Sequence, residues 1–381
     1  MIEQVSKAIE IQDIAFWNDV IQANPLLSFS LELTARCNNN CRHCYVNLPT
    51  NDISSINSEL SLVEIKRIVD QVVQRGALWV LLTGGEPLLR DDFQEIYLYL
   101  KRKGLLVSVF TNGTLLNEEY VKLFRDYPPR DLELTVYGVS PEIYGNVTGK
   151  KNHFDLFING LDLLDKYNVS YRLKAIAMKS TLDEFDKIKS FCQGRTKDYF
   201  YFDYKLHLRT DRNQLRNQLI IEERLSTKEI LKLEADDPAR SKALAKNCDN
   251  LIGNKTYKKE DGQSLFRCAI GNGSMYISSD GSLRLCQSLT HDKFVYDLKQ
   301  GTLESALKTL VPKITESRSD SPEYSQRCGT CNYLNLCMWC PAHAYLECGR
   351  LDEMVDYFCE LAHEHAGQLL ENTRDRNSLI E

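Results

Sequence analysis

Cys37-Asn-Asn-Asn-Cys41-Arg-His-Cys44 places three thiols on one short stretch of a 381-residue chain. As thiolates these are metal ligands, and three on one loop can hold three irons of a cubane cluster while the fourth iron keeps an open position. Structural zinc prefers four ligands and paired CxxC knuckles, and no fourth Cys stands nearby. Further on, Thr83-Gly84-Gly85-Glu86-Pro87 joins two glycines, whose backbone a ligand can approach closely, to a carboxylate able to accept from an ammonium. Thr111-Asn112-Gly113 is a third polar turn, readable equally as a plain Asn-Gly turn. The chain has 13 cysteines, and those beyond residue 260 are spaced as Cys268, Gly281, Cys286, then Cys328, Cys331, Cys337, Cys340, with Cys348 and Cys359 following. Without an export signal such a density points to metal rather than disulfides.

These residues need elements to position them. Short β-type runs at 29–34, 77–83, 107–111, 131–137, 170–177 and 199–208 alternate with amphipathic stretches at 61–74, 91–103, 117–127, 154–167 and 181–192. The first of these opens on a Ser61/Glu64 capping box and carries one apolar stripe, Leu62, Ile65, Val69 and Val72. Repeated strand–helix–strand units predict an α/β fold with a parallel sheet, and six strands predict a partial (β/α)6, TIM-like barrel with ligands at the C-terminal strand ends. The first cysteine group follows the first strand and the Gly-Gly-Glu-Pro turn follows the second. Residues 211–247 are rich in charge and amide and read as a helical, solvated bridge. Residues 248–381 have too few long periodic runs to build a large core unaided, so metal would have to staple them. We expect an N-terminal extension at 1–24, a core domain at 25–210, the bridge, and a cysteine-rich domain at 248–381.

A formal charge of −6 without a basic stripe argues against nucleic acid or an anionic membrane as partner. No run approaches the roughly 20 apolar residues that cross a bilayer. Residues 1–22 mix charge with apolar side chains and lack the features of a secretory signal, which predicts a cytoplasmic protein.

The CxxxCxxC spacing followed by Gly-Gly-Glu-Pro resembles the radical S-adenosylmethionine (SAM) superfamily. The resemblance implies a [4Fe–4S] cluster on Cys37, Cys41 and Cys44, with SAM chelating the open iron and being split to methionine and a 5′-deoxyadenosyl radical. It also implies that His43 borders the adenine and that Gly84, Gly85, Glu86 and Pro87 hold the SAM amino group. Thr111 and Asn112, and Arg172 or Lys174 on the fifth strand, are further candidates for SAM contact. The later cysteines resemble the SPASM extension, with two residues in the last interval of the quartet where three are usual. That resemblance implies two auxiliary [4Fe–4S] clusters: an outer one on Cys328, Cys331, Cys337 and Cys359, and an inner one on Cys268, Cys286 and Cys340, with Cys248 or an open iron completing it. Cys348 competes with Cys359, and Cys192 reads as a small buried hydrophobe.

Families of this kind mostly modify peptides. The expected activity is therefore oxidation or cross-linking of a ribosomal peptide at an unactivated C–H bond, with an auxiliary cluster taking the leftover electron. Oxidation or epimerisation of a small carbohydrate-like substrate and a non-catalytic iron–sulfur protein are the alternatives. Gln287 stands where the sulfatase-modifying branch carries an Asp base, which weakens that reading, because an amide is no proton acceptor. Too few residues precede the first strand for a leader-gripping domain, so a separate leader-binding protein or the barrel itself is expected to serve. A flavodoxin or ferredoxin is the expected electron donor.

Overall fold

In the computed structural model, residues 26–196, 200–246, 252, 262–266 and 274–378 are described. Six parallel strands, β1 (Ser28–Glu32), β2 (Trp79–Thr83), β3 (Leu106–Thr111), β4 (Asp131–Val136), β5 (Arg172–Ile176) and β6 (Tyr201–Asp203), pair in sequence order. Helices run outside them between consecutive strands, as the alternating pattern predicts. Strand periodicity explains the division of labour, since successive side chains point to opposite faces. Phe29, Leu31, Val80, Leu82, Val107, Val109, Leu132, Leu134 and Ala175 are buried outward against the helices. Ser30, Leu81, Phe110, Thr135, Lys174 and Asp203 point inward to line one cavity.

The helix α1 (Leu62–Gln74) starts on the Ser61/Glu64 capping box and buries Ile65, Ile68, Val69 and Val72. The helix α2 (Pro141–Thr148), absent from the sequence-based elements, begins with Pro at its first turn and ends on Gly149 in the left-handed region, at φ 69°. Its C-terminal carbonyls meet the cysteine loop: Thr148 accepts from the Asn40 amide at 2.8 Å and Val147 from the Arg42 amide at 3.0 Å.

The sheet continues past the first strand. β7 (Ser274–Ile277) pairs with β1 in parallel, and β8 (Ser282–Arg284) and β9 (Tyr296–Asp297) extend it antiparallel, giving nine strands. The C-terminal region therefore shares the sheet with the first 200 residues. The bridge carries α3 (Gln214–Glu223), α4 (Thr227–Ala235) and α5 (Pro238–Lys246), and it is less solvated than its composition suggests. In α3, Asn217, Ile220 and Glu223 are buried, because this helix packs on the barrel rather than spanning a gap. Among the described residues, no helix is long and apolar enough to cross a membrane.

Candidate active site

At the C-terminal ends of the strands lies a cavity of about 320 Å³ lined by Cys37, Cys41, Cys44, Gly84, Gly85 and Asn112, among others. The cysteine loop and the glycine turn are laced together: Gly85 donates to Thr34 O at 2.7 Å and Glu86 to Arg36 O at 2.9 Å. A Cβ on Gly84 would lie 2.3 Å from Thr34 O, and one on Gly85 2.3 Å from Arg36 O, so only glycine allows this approach. Asn112 Nδ2 donates to Asn38 Oδ1 at 2.9 Å and reaches Cys37 Sγ at 3.7 Å. Backbone amides add further support to the sulfurs, Asn39 to Cys37 and Asn47 to Cys44, each at 3.4 Å. N–H donors aimed at sulfur are what a negatively charged thiolate–metal group needs around it.

Burial pushes the Cys37 and Cys41 thiols well up, and neighbouring charge adds to this: Glu86 and Cys44 for the first, Cys37 and Cys44 for the second. These two thiols therefore need a metal group to hold them as thiolates. Among the described residues, no three Cys, His, Asp or Glu side chains converge on a single-ion site. Three soft donors spread over one loop suit an iron–sulfur cluster, which takes one thiolate per iron.

His43 is buried against Tyr137, with ring centroids 5.6 Å apart, and its Nδ1 has no partner among the described residues. Burial, aided by Lys174, lowers this imidazole to about 4, so it is neutral and offers a ring edge to a base. Glu86 is the carboxylate expected to help hold the SAM amino group. It is fully buried and outside the cavity lining, with both oxygens engaged by Thr111 Oγ1 (2.7 Å), the Asn112 amide (2.8 Å) and the Leu88 amide (3.2 Å). It positions the two turns that edge the cavity, and Pro87 behind it starts a buried 3₁₀ turn.

The later cysteines gather elsewhere. Cys328, Cys331, Cys337 and Cys359 line one cavity of about 590 Å³, walled by Tyr333 and Trp339. Cys348 lies outside this lining, exposed at the end of its helix. Cys286 is close enough to Cys340 for that thiol to help raise its pKa, after burial. Cys248 and Cys268 lie outside the described residues. Cys192 is buried in the core.

The radical SAM superfamily profile matches residues 31–192. That stretch is a radical SAM domain. An AdoMet-dependent heme synthase of Methanosarcina barkeri is 26% identical over 338 residues, 86% of this chain and 94% of that one. AlbA, an antilisterial bacteriocin subtilosin biosynthesis protein of Bacillus subtilis, is 23% identical over 327 residues, 82% of this chain and 67% of its own. Streptococcus suis SuiB bound to precursor peptide SuiA superposes with a TM-score of 0.66 at 15% identity, over 93% of this chain and 84% of that one, a likeness of fold.

Within the radical SAM cavity the fifth strand contributes Lys174, whereas Arg172 pairs with Asp131 at 3.1 Å near the strand's start. Several cavity residues carry no motif and escape sequence reasoning: Tyr45, Asp203, Lys205, His207 and Tyr276. Tyr45 donates to Gln287 Oε1 at 3.0 Å, joining the cysteine loop to the residue after Cys286. The only advance signal for this contact is the adjacency of each residue to a cysteine.

Proposed function

We propose that this radical SAM enzyme modifies a peptide, oxidising or cross-linking one of its side chains. Cys37, Cys41 and Cys44 would hold the [4Fe–4S] cluster, and Gly84, Gly85, Asn112 and His43 would hold SAM. When bound, cluster and SAM supply a 5′-deoxyadenosyl radical that abstracts hydrogen. The chain's own residues orient and shelter it: Tyr45, Lys174, Lys205, His207 and Gln287 present polar groups toward the space beyond the cysteines. Cys328, Cys331, Cys337 and Cys359 hold one auxiliary cluster; Cys286, Cys340 and Cys268, with Cys248 or an open iron as the fourth position, hold the other. We place the protein in the cytoplasm, with a flavodoxin or ferredoxin as electron donor and a separate leader-binding protein as a further partner.

The observation that carries the substrate class is the size and polarity of the cavity. At about 320 Å³ it stands at the lower end of the roughly 300–1,000 Å³ usual for one small ligand. Its lining carries the polar groups of Tyr45, Lys174, Lys205, His207 and Gln287, which suit hydrogen bonding to a peptide. The AlbA relative agrees with a peptide. The heme synthase relative supports a second reading, in which the substrate is an iron tetrapyrrole.

Reconstituted, reduced protein should form 5′-deoxyadenosine from SAM and change the mass of a short peptide encoded beside it. Turnover of an iron tetrapyrrole instead, read from its visible spectrum, would replace the peptide reading. Three cubanes predict about twelve irons per chain, and a Cys37→Ala/Cys41→Ala/Cys44→Ala variant should lose about four.

A further inference from the structure

Three guanidinium groups surround the outside of the cysteine loop, and two of them have carboxylate partners. Arg42 pairs with Glu223 at 2.9 Å. Arg209, buried after β6, pairs with Asp211 at 2.7 Å and donates through Nη1 to Cys44 O and Asn47 O, each at 3.3 Å. Arg216, from α3, differs. It donates to Asn40 Oδ1 at 2.6 Å, Cys41 O at 3.2 Å and Asn47 Oδ1 at 2.9 Å, all uncharged acceptors. Its Nε is buried without a partner, and among the described residues no carboxylate lies within ion-pairing distance of it.

A half-buried cation served only by neutral acceptors leaves charge uncompensated, which is costly unless an anion stands nearby. Thiolates ligating a cubane supply that anion, and its negative charge grows by one unit on reduction. We infer that Arg216 is the counter-charge of the catalytic cluster, a positioning residue that braces the loop at Asn40, Cys41 and Asn47 and raises the cluster's reduction potential. Arg209 braces the same loop, but Asp211 cancels its charge, so its electrostatic effect is smaller.

This inference rests on the proposed cluster at Cys37, Cys41 and Cys44. Its test is a redox titration of the full-length holoenzyme, following by EPR the reduced-cluster signal that changes shape when SAM is added. In Arg216→Gln the ratio of reduced to oxidised cluster at a fixed potential should fall about tenfold, or 59 mV for one electron, with iron content unchanged. Arg216→Lys keeps the charge and should titrate like wild type. An unchanged midpoint in Arg216→Gln, or an equally large shift in Arg216→Lys, overturns the inference alone. A wild-type holoenzyme with no SAM-responsive signal removes the proposed function and this inference together.

Discussion

Buried beyond the end of β2, Glu86 accepts three hydrogen bonds from Thr111, Asn112 and Leu88, yet burial still pushes its carboxyl from 4.5 up to about 7. The sign of the consequence follows from linkage. Between about pH 4.5 and pH 7 the folded chain keeps a proton that the unfolded chain has released, so this group's contribution to stability falls as pH rises through that window. In cluster-free protein, Glu86→Gln should flatten the change in urea midpoint between about pH 5 and about pH 7.5; an unaltered slope would count against this account. Among single residues, the motif cysteines and the glycine turn were legible because their types and spacings have few other uses. Arg209 and Arg216 were not: an arginine in a charged stretch reads as a solvated face, and only the packing of α3 shows it bound to carbonyls.

At the scale of elements, the six parallel strands and the helices between them followed from period-2 and period-3.6 patterns. The helix α2 was missed because Gly145 and Asn146 break its apolar stripe. Its importance lies in its end, where two carbonyls hold the cysteine loop. The glycine turn holds the same loop from the other side, and that contact is testable. Gly85→Ala sets a methyl group 2.3 Å from Arg36 O, so the two loops must separate. We expect about 1–3 kcal/mol of destabilisation and a clear loss of SAM affinity, measured by thermal melting and equilibrium binding. Unchanged affinity would mean that the turn does not shape the SAM site.

Across the whole molecule, the place of β7 beside β1 was invisible in the sequence, since a pairing between residues 28 and 274 leaves no local pattern. It predicts that a fragment of residues 1–247 leaves β1 as an unpaired edge and aggregates, whereas the full chain elutes as one species in size-exclusion chromatography. A well-behaved fragment would show that the C-terminal strands are dispensable to the core. The contact between Tyr45 and Gln287 belongs to this scale too. What enters the reaction chamber is met by a side chain supplied from far along the polypeptide, past the residues that build the radical machinery. On the proposed reading, a change at position 287 should alter which substrate is accepted and leave 5′-deoxyadenosine formation as it is.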